Sequence, residues 1–286
     1  MVNQTTANKI FHFFLVRIIL GLVIIIGLVF LVEWSGKLFL DKTGLTDNSK
    51  DIIVAFADAA VTLVGYISIY KAYEKRRVAE LSLSTFGKNA LLGIAAGFLL
   101  QSFFILIIFI AAGYSVTQVN PLSSLILPFT AALRAGFVAE ILILGVFFRI
   151  TEEWFGTKIA LVIITLLFAI LHLKSDGASV LSVCSTAMEA GFMLSAVYVA
   201  TRNLWLPIFL HFSWDFAEPG IYGAINPGIT IKQTLFTSKI TGSNLLTGGI
   251  TGPQNSIQAL LVCSLTGILL LWIAKRNNHF RLPCWV

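Results

Sequence analysis

Hydrophobic residues fill long stretches of this chain, and short polar segments separate them. Stretches of suitable composition for membrane helices lie near residues 10–32, 52–71, 89–113, 122–149, 158–173, 178–200, 204–217 and 257–274. A transmembrane helix needs about 17–25 apolar residues, so the fifth and seventh stretches require burial against neighbouring helices. Because unpaired backbone groups are costly in lipid, the pattern predicts an all-α fold, a polytopic transmembrane helical bundle of about eight spans.

Composition supports the bilayer as the main solvent and excludes nucleic acid as a partner. Of the 286 residues, 57% are hydrophobic and 12% are charged, whereas a soluble domain carries about 25% charged residues. The net charge of +6 comes from cations in short loops beside the apolar stretches. The expected partners are therefore the membrane lipid bilayer and a substrate that reaches it.

The distribution of basic residues predicts the orientation of the chain. The loop after the second stretch is the most basic, with Lys71, Lys75, Arg76, Arg77 and Lys88. Under the positive-inside rule, this loop and both termini are cytoplasmic, and we expect the plasma membrane of a bacterium. The first stretch is followed by Glu33 and Trp34 rather than by small residues, which predicts an uncleaved span. The cysteines, Cys184, Cys263 and Cys284, are too widely spaced for a disulfide or metal pattern.

Polar segments divide the chain into two predicted parts. Residues 1–88 form an N-terminal two-span region with the basic cytoplasmic loop, and residues 89–286 form a core whose motifs lie within 130–216. Residues 219–256 are rich in Gly, Pro, Ser and Thr, which predicts a long non-helical excursion on the outer side. Excursions of this length are usually functional loops or disordered segments, and both interpretations stay open.

Candidate chemistry comes from ionisable residues inside three of the apolar stretches. Glu140, His172 and His211 each lie in a different stretch, and Asp215 follows His211 by one helical turn. A charged side chain at the bilayer centre costs about 2.5–3.5 kcal/mol, so such residues are expected to pair or to serve chemistry. With a rise of 1.5 Å per residue, Glu140 and His211 lie about 13 Å from the basic ends of their helices, and His172 about 21 Å. This difference in depth weakens the predicted convergence.

Two kinds of hydrolytic chemistry fit these residue types. A carboxylate and a histidine can hold a water and take its proton, while a second histidine with a neighbouring side chain stabilises an oxyanion. Alternatively, Glu140, His172 and His211 ligate a divalent metal such as zinc, which activates the water. No other cofactor is expected, and the sequence does not decide between the two.

Structural roles are the alternative for each candidate. Glu140 could pair with Arg134 or Arg149, His172 could cap a helix end, and His211 could tether Asp215. Further ionisable residues inside apolar stretches are expected to face the same interior: Asp58, Arg134 and Glu189. Arg149 and Glu153, four residues apart, are predicted to form a surface pair worth only about 0.3–0.5 kcal/mol.

The order and spacing of three motifs resemble the CPBP family of intramembrane proteases, which contains CAAX proteases and bacteriocin-processing and immunity (Abi) proteins. The motifs are AEILILG ending at Gly145, FAILH from Phe168 to His172, and HFSWD from His211 to Asp215. The resemblance implies an intramembrane endopeptidase acting on a peptide or protein substrate. It also implies catalytic roles: Glu140 and His172 activate water, and His211 and Asp215 hold the oxyanion. Residues 247–256 resemble the family's late glycine-rich loop.

The first motif departs from the family pattern, which is EExxxR followed by Gly. Ala139 replaces the first glutamate and Leu144 replaces the arginine, so one anion and one cation are lost together. The change is compatible with a site built on Glu140 alone. It is equally compatible with a catalytically silent member that acts as a membrane binding, immunity or scaffold protein. A transporter with a relay of intramembrane acids is a third alternative, although no internal repeat is visible.

Overall fold

The computed structural model describes residues 13–224 and 233–286, and helices make up most of them. The helices are α1 (Phe14–Leu40), α2 (Asp47–Ala72), α3 (Phe86–Ile110), α4 (Ile126–Arg134), α5 (Arg149–His172), α6 (Val180–Thr186), α7 (Leu194–Thr201), α8 (Trp205–Asp215), α9 (Asn244–Thr247) and α10 (Ile257–Arg276). Turns of π-helix extend or join them at Ala135–Ala139, Ile141–Phe148, Ala187–Met193 and Phe216–Ile221. Single turns of 3₁₀-helix lie at Ala79–Leu81, Leu83–Thr85, Leu122–Leu125, Gly249–Thr251 and Pro253–Asn255.

The predicted polytopic helical bundle is confirmed. Within the described residues, six helical segments are long and apolar enough to cross a membrane. The longest, Leu122–His172, has 51 residues, far more than the ~20 that one span needs. It breaks at Gly156, whose φ of +77° interrupts the helix, so the segment forms two rods. With the rod that begins at Trp205, the described part of the chain contains eight rods.

The break at Gly156 is fixed by contact with the C-terminal segment. A Cβ atom at this position would lie 2.9 Å from Pro283, and positive φ is strained for other residues. Thr157 donates its backbone N–H to the carbonyl of Arg281 at 3.1 Å, which stabilises the start of the second rod. The turn between the predicted fourth and fifth spans is therefore a short break, closed by the end of the chain.

The segment after α8 is more ordered than the expected non-helical excursion. Strand β2 (Phe236–Ile240) pairs antiparallel with β1 (Tyr114–Val119), with Tyr114 opposite Ile240 and Val119 opposite Phe236. Residues 225–232 of the excursion lie outside the described residues. The hydropathy pattern did not predict this two-stranded sheet because its strands are short and far apart in sequence. A sheet of two short strands also gains little stability alone. Tyr114 anchors it to the bundle by donating its hydroxyl to the carbonyl of Tyr222 at 2.9 Å.

At one end of the bundle, arginines and glutamates form a buried network that joins α1, the loop after α2 and the start of α5. We call it the arginine network, and its members are Arg17, Arg76, Arg149, Glu74, Glu80 and Glu153. The prediction that Arg149 and Glu153 form a surface pair is wrong. The two side chains are 2.6 Å apart, but Arg149 is only 2% exposed. It also contacts Glu74 at 3.2 Å and lies over the ring of Tyr70, because α2 packs across the start of α5.

Candidate active site

Close packing of two helices brings Glu140 to His211. A Cβ atom at Gly136 would lie 2.6 Å from the carbonyl oxygen of Ile208, so the π-helical turn after α4 contacts the backbone of α8. Glu140 lies one turn after Gly136 on the same face, between two π-helical segments. Its Oε1 is 2.7 Å from His211 Nδ1, and the residue is only 1% exposed. Turns of π-helix are rare and occur frequently at functional sites.

His211 lies between two carboxylates. Its Nε2 is 3.4 Å from Asp215 Oδ2, a longer and weaker contact than the one at Nδ1. The second carboxylate oxygen of Glu140, Oε2, is buried and has no hydrogen-bond partner. The pair therefore offers one free carboxylate oxygen and one weakly held imidazole nitrogen, which are the groups that water activation and oxyanion binding require.

Two further buried glutamates adjoin this group. Glu189 is 9% exposed, makes no hydrogen bond, and lies within electrostatic reach of Glu218, Asp215 and His211. Glu218 is fully buried and accepts hydrogen bonds from the side chain of Gln101 and the backbone of Gln254. We call this set the carboxylate cluster: Glu140, Glu189, His211, Asp215 and Glu218.

The expectation that Glu189 faces the interior is confirmed, whereas sequence reasoning missed Glu218. The composition predicts that the excursion begins at residue 219, but the helix continues through Phe216–Ile221. The available signal was the spacing from Asp215, because residues three apart share a helix face. Gln101, Trp214 and Gln254 were missed for a related reason, since polar contacts between distant segments leave no local pattern.

His172 lies apart from the carboxylate cluster. It is half-buried at the C-terminal end of α5, where its ring stacks on Phe168 with 6.1 Å between centroids. Its Nδ1 lies 2.9 Å from the carbonyl oxygen of Phe168. No hydrogen bond or ion pair joins it to Glu140, His211 or Asp215, in keeping with the greater depth expected for it. The structure therefore brings together three of the four predicted catalytic residues.

The predicted zinc ligands do not converge. Glu140 and His211 meet, but His172 is not part of their group. Across residues 13–224 and 233–286, no group of three or more His, Cys, Asp or Glu side chains is arranged to hold a metal ion. The zinc alternative thus lacks a ligand set in the described part of the molecule.

Neither arginine suggested as a structural partner for Glu140 contacts it. Arg134 donates its Nε–H to Asp58 at 2.9 Å, and Asp58 is fully buried. Arg149 belongs to the arginine network. Because both cations are engaged elsewhere, the partner of Glu140 is His211.

The positions that break the first motif lie beside the cluster but serve packing. Leu144 is fully buried in the core, and Ala139 is half-buried. A Cβ atom at Gly145 would lie 2.8 Å from the ring of Tyr66, so this glycine allows α2 to approach closely. Tyr66 also donates its hydroxyl to the carbonyl of Gly145 at 3.1 Å. The arginine of the family pattern is thus replaced by an apolar core residue.

Comparison with known proteins identifies the segment that carries these residues. The family model described as type II CAAX prenyl endopeptidase Rce1-like matches residues 121–217. This range contains Glu140, His172, His211 and Asp215. No curated protein and no solved structure matches the chain. The resemblance seen in the sequence motifs is confirmed over the matched range.

Proposed function

Because the type II CAAX prenyl endopeptidase Rce1-like model matches residues 121–217, we propose that this protein is an intramembrane endopeptidase of the CPBP family. The observation that carries the proposal is the buried contact of 2.7 Å between Glu140 and His211. Burial of a carboxylate beside an imidazole costs stability. Such groups cluster at functional sites, where the cost supports chemistry. The substrate class is a peptide or protein that enters from the bilayer.

The geometry supports a water-activation mechanism built on Glu140 and His211. The free Oε2 of Glu140 accepts a hydrogen bond from a water and takes its proton as the water oxygen bonds to the peptide carbonyl carbon. His211 fixes the orientation of Glu140 through Nδ1. In this step His211 is the imidazolium, which donates Nδ1–H to Glu140 and also carries an Nε2–H. That N–H, only weakly held by Asp215, donates to the oxyanion of the tetrahedral intermediate. The C–N bond then breaks, and the leaving amine receives the proton from Glu140.

A cleavage assay tests this proposal. Purified protein in nanodiscs is incubated with prenylated CAAX peptides and with unmodified peptides, beside Glu140→Gln, His211→Ala and the exposed control Glu33→Gln. We expect the first two variants to lose about 10²–10⁴ of the rate, the usual contribution of a general base, and the control to keep it. Equal cleavage by wild type and Glu140→Gln would overturn the mechanism.

His172→Ala separates two versions of the mechanism. The family resemblance implies that His172 acts with Glu140 on the water, but the contacts support His211 in that role. We expect His172→Ala to lose much less activity than Glu140→Gln. A loss as large as that of Glu140→Gln would assign water activation to His172 as well.

A second candidate function is a catalytically silent member that binds a peptide or protein as an immunity factor or scaffold. The observation that favours it is the apolar replacement of the charged pair in the first motif, with Leu144 fully buried. In this case wild type cleaves nothing, while Ala139→Glu combined with Leu144→Arg cleaves. Cleavage by wild type that is lost in Glu140→Gln would exclude this candidate.

We propose that the arginine network marks the cytoplasmic end of the bundle, in a bacterial plasma membrane with both termini cytoplasmic. The charge distribution supports this orientation, since the basic loop after α2 lies at that end. Labelling of single cysteines introduced at Lys75 and at Asp176 in intact cells tests it. We expect reagent that cannot cross the membrane to label only the second position.

A further inference from the structure

We propose that Glu218 is a positioning residue for the site: it holds the loop 243–256 against the helix that carries His211 and Asp215. The proposal rests on the proposed protease function, and it concerns a residue outside the three motifs. We call residues 243–256 the late loop. Three observations carry the inference: the packing of α3 on α8, the hydrogen bonds of Glu218, and the free oxygen of Gln101.

The packing of α3 places a buried amide next to Glu218. Gly93, Gly97 and Gln101 recur every fourth residue and therefore share one face of α3. A Cβ atom at Gly97 would lie 2.5 Å from the carbonyl oxygen of Leu210, so α3 and α8 are in backbone contact there. Small residues at this spacing are a common device for close helix packing in membranes. One turn later, Gln101 donates Nε2–H to Glu218 Oε2 at 2.8 Å.

Glu218 also holds the late loop. Its Oε1 accepts the backbone N–H of Gln254 at 3.1 Å. The side-chain oxygen of Gln254 in turn accepts the indole N–H of Trp214 at 3.0 Å. Gln254 is therefore bound by residues 214 and 218, one turn apart on the same helix face. Asp215 lies between them in sequence, so these bonds fix the turn of the helix that carries Asp215.

The late loop contains only single helical turns, so contacts with the rest of the bundle hold it in place. It contains one turn of α-helix, two turns of 3₁₀-helix, and glycines with positive φ at 248, 249 and 252. A second anchor is independent of the site: Gln258 donates its amide to the carbonyl of Leu246 at 2.5 Å. Thr186 also donates its hydroxyl to Asn255 Oδ1 at 2.9 Å, and Ser185 donates to the carbonyl of Ser256 at 3.4 Å. Loss of Glu218 is therefore expected to loosen residues 252–254 and to leave residues 255 and 256 and the part around Leu246 in place.

Glu218→Gln separates hydrogen bonding from charge. Gln101 Oε1 is buried and has no partner, so rotation of its amide offers an acceptor to a new N–H at position 218. The oxygen of the introduced glutamine still accepts the N–H of Gln254. Both contacts are therefore retained in Glu218→Gln, whereas Glu218→Ala removes the acceptor for the Gln101 amide and the acceptor for the backbone N–H of Gln254.

Cleavage kinetics with three variants test the role. We expect Glu218→Ala to lower kcat about 100-fold, the order expected from a displacement of about 1 Å at a site, with little change in KM. Glu218→Gln is expected to restore kcat to near the wild-type value. The matched control Gln258→Ala removes the loop contact at Leu246 and is expected to keep kcat. A wild-type kcat in Glu218→Ala, or an equal loss in Glu218→Gln, would overturn the positioning role.

Hydrogen–deuterium exchange of the whole protein in nanodiscs gives a readout that does not depend on cleavage. Glu218→Ala is expected to increase exchange at residues 252–254, and Glu218→Gln to leave it unchanged. Gln258→Ala is expected to increase exchange only near residue 246. Wild type that cleaves nothing while these exchange results hold would refute the proposed function and keep the anchor. Unchanged exchange in Glu218→Ala would refute the anchor itself.

Discussion

The two buried charged regions of this bundle differ in how their charges are balanced. The arginine network contains three arginines and three glutamates, and every carboxylate in it contacts a cation. The carboxylate cluster contains four acids and a single imidazole. Its members share few hydrogen bonds, and Glu140 Oε2 is buried without a hydrogen-bond partner among the described residues.

This difference separates structural from functional burial of charge. In a balanced network, the attraction between paired charges offsets the free-energy cost of removing them from water. Such a network can hold helices together without a substrate. An excess of acids without cations costs stability and is retained where it supports chemistry. The π-helical turns follow this division in part: Glu189 and Glu218 lie inside such turns, whereas Glu140 and Arg149 each border one. No such turn contains a member of the arginine network.

The largest expected effect is a loss of stability in the arginine network. Arg149→Ala removes the most deeply buried cation of the network, so that Glu74 and Glu153 share only Arg17. We expect a loss of about 3–5 kcal/mol in the free energy of unfolding. Arg281→Ala is the matched control, because that arginine also lies near Glu153, at 3.6 Å, but its side chain is 44% exposed. Chemical unfolding in detergent measures both. Equal losses in the two variants would contradict the structural role assigned to the arginine network.

The next effect concerns the packing that assembles the carboxylate cluster. Gly97→Ala places a methyl group against the backbone of α8, and we expect a destabilisation of about 1–3 kcal/mol together with reduced cleavage. Gly87→Ala, on the same helix, has nothing within 4 Å and is expected to gain about 0.5–1 kcal/mol from helix propensity. Thermal unfolding of both variants tests the contrast. A stable, active Gly97→Ala protein would show that α3 and α8 do not need backbone contact.

Local patterns predicted the bundle and part of the site, and contacts between distant segments decided the rest. Hydropathy predicted the helical spans because each span in lipid must satisfy its own backbone hydrogen bonds. Spacing predicted the contact of His211 with Asp215, since both lie on one helix. The partner of Glu140 could not be derived in this way, because it depends on Gly136 allowing α8 to approach. Burial of Arg149 was missed for the same reason, since its ring partner Tyr70 comes from α2.

A smaller effect on stability is expected in the carboxylate cluster. Glu189→Gln removes a carboxyl group that makes no hydrogen bond and faces other acids, so we expect stability to rise by about 1–2 kcal/mol. This sign is opposite to that of Arg149→Ala, although both residues are buried. Chemical unfolding under the same detergent conditions measures the change. A loss of 3 kcal/mol, about that of a broken ion pair, would show that Glu189 has a stabilising partner.

The smallest effect is a pH dependence in the arginine network. Burial raises the pKa of the Glu80 carboxyl, but hydrogen bonds from Arg76 and Tyr66 outweigh burial and hold that pKa below its usual value. Its contribution to stability is therefore complete above the unfolded pKa, about 4.3, and is lost as pH falls through the lower folded pKa.

Glu80→Gln should consequently cost about 1 kcal/mol at neutral pH, the difference between a charged and a neutral hydrogen bond, and almost nothing in strong acid. Melting temperatures of wild type and variant, measured from pH 7 downward, should approach each other below the unfolded pKa and meet below the lower folded pKa. The control Asp176→Asn, at an exposed loop position, should run parallel to wild type at every pH. Curves for Glu80→Gln that stay parallel to wild type as well would mean that this carboxylate adds nothing to the network by its charge, and that hydrogen bonding alone holds the loop after α2.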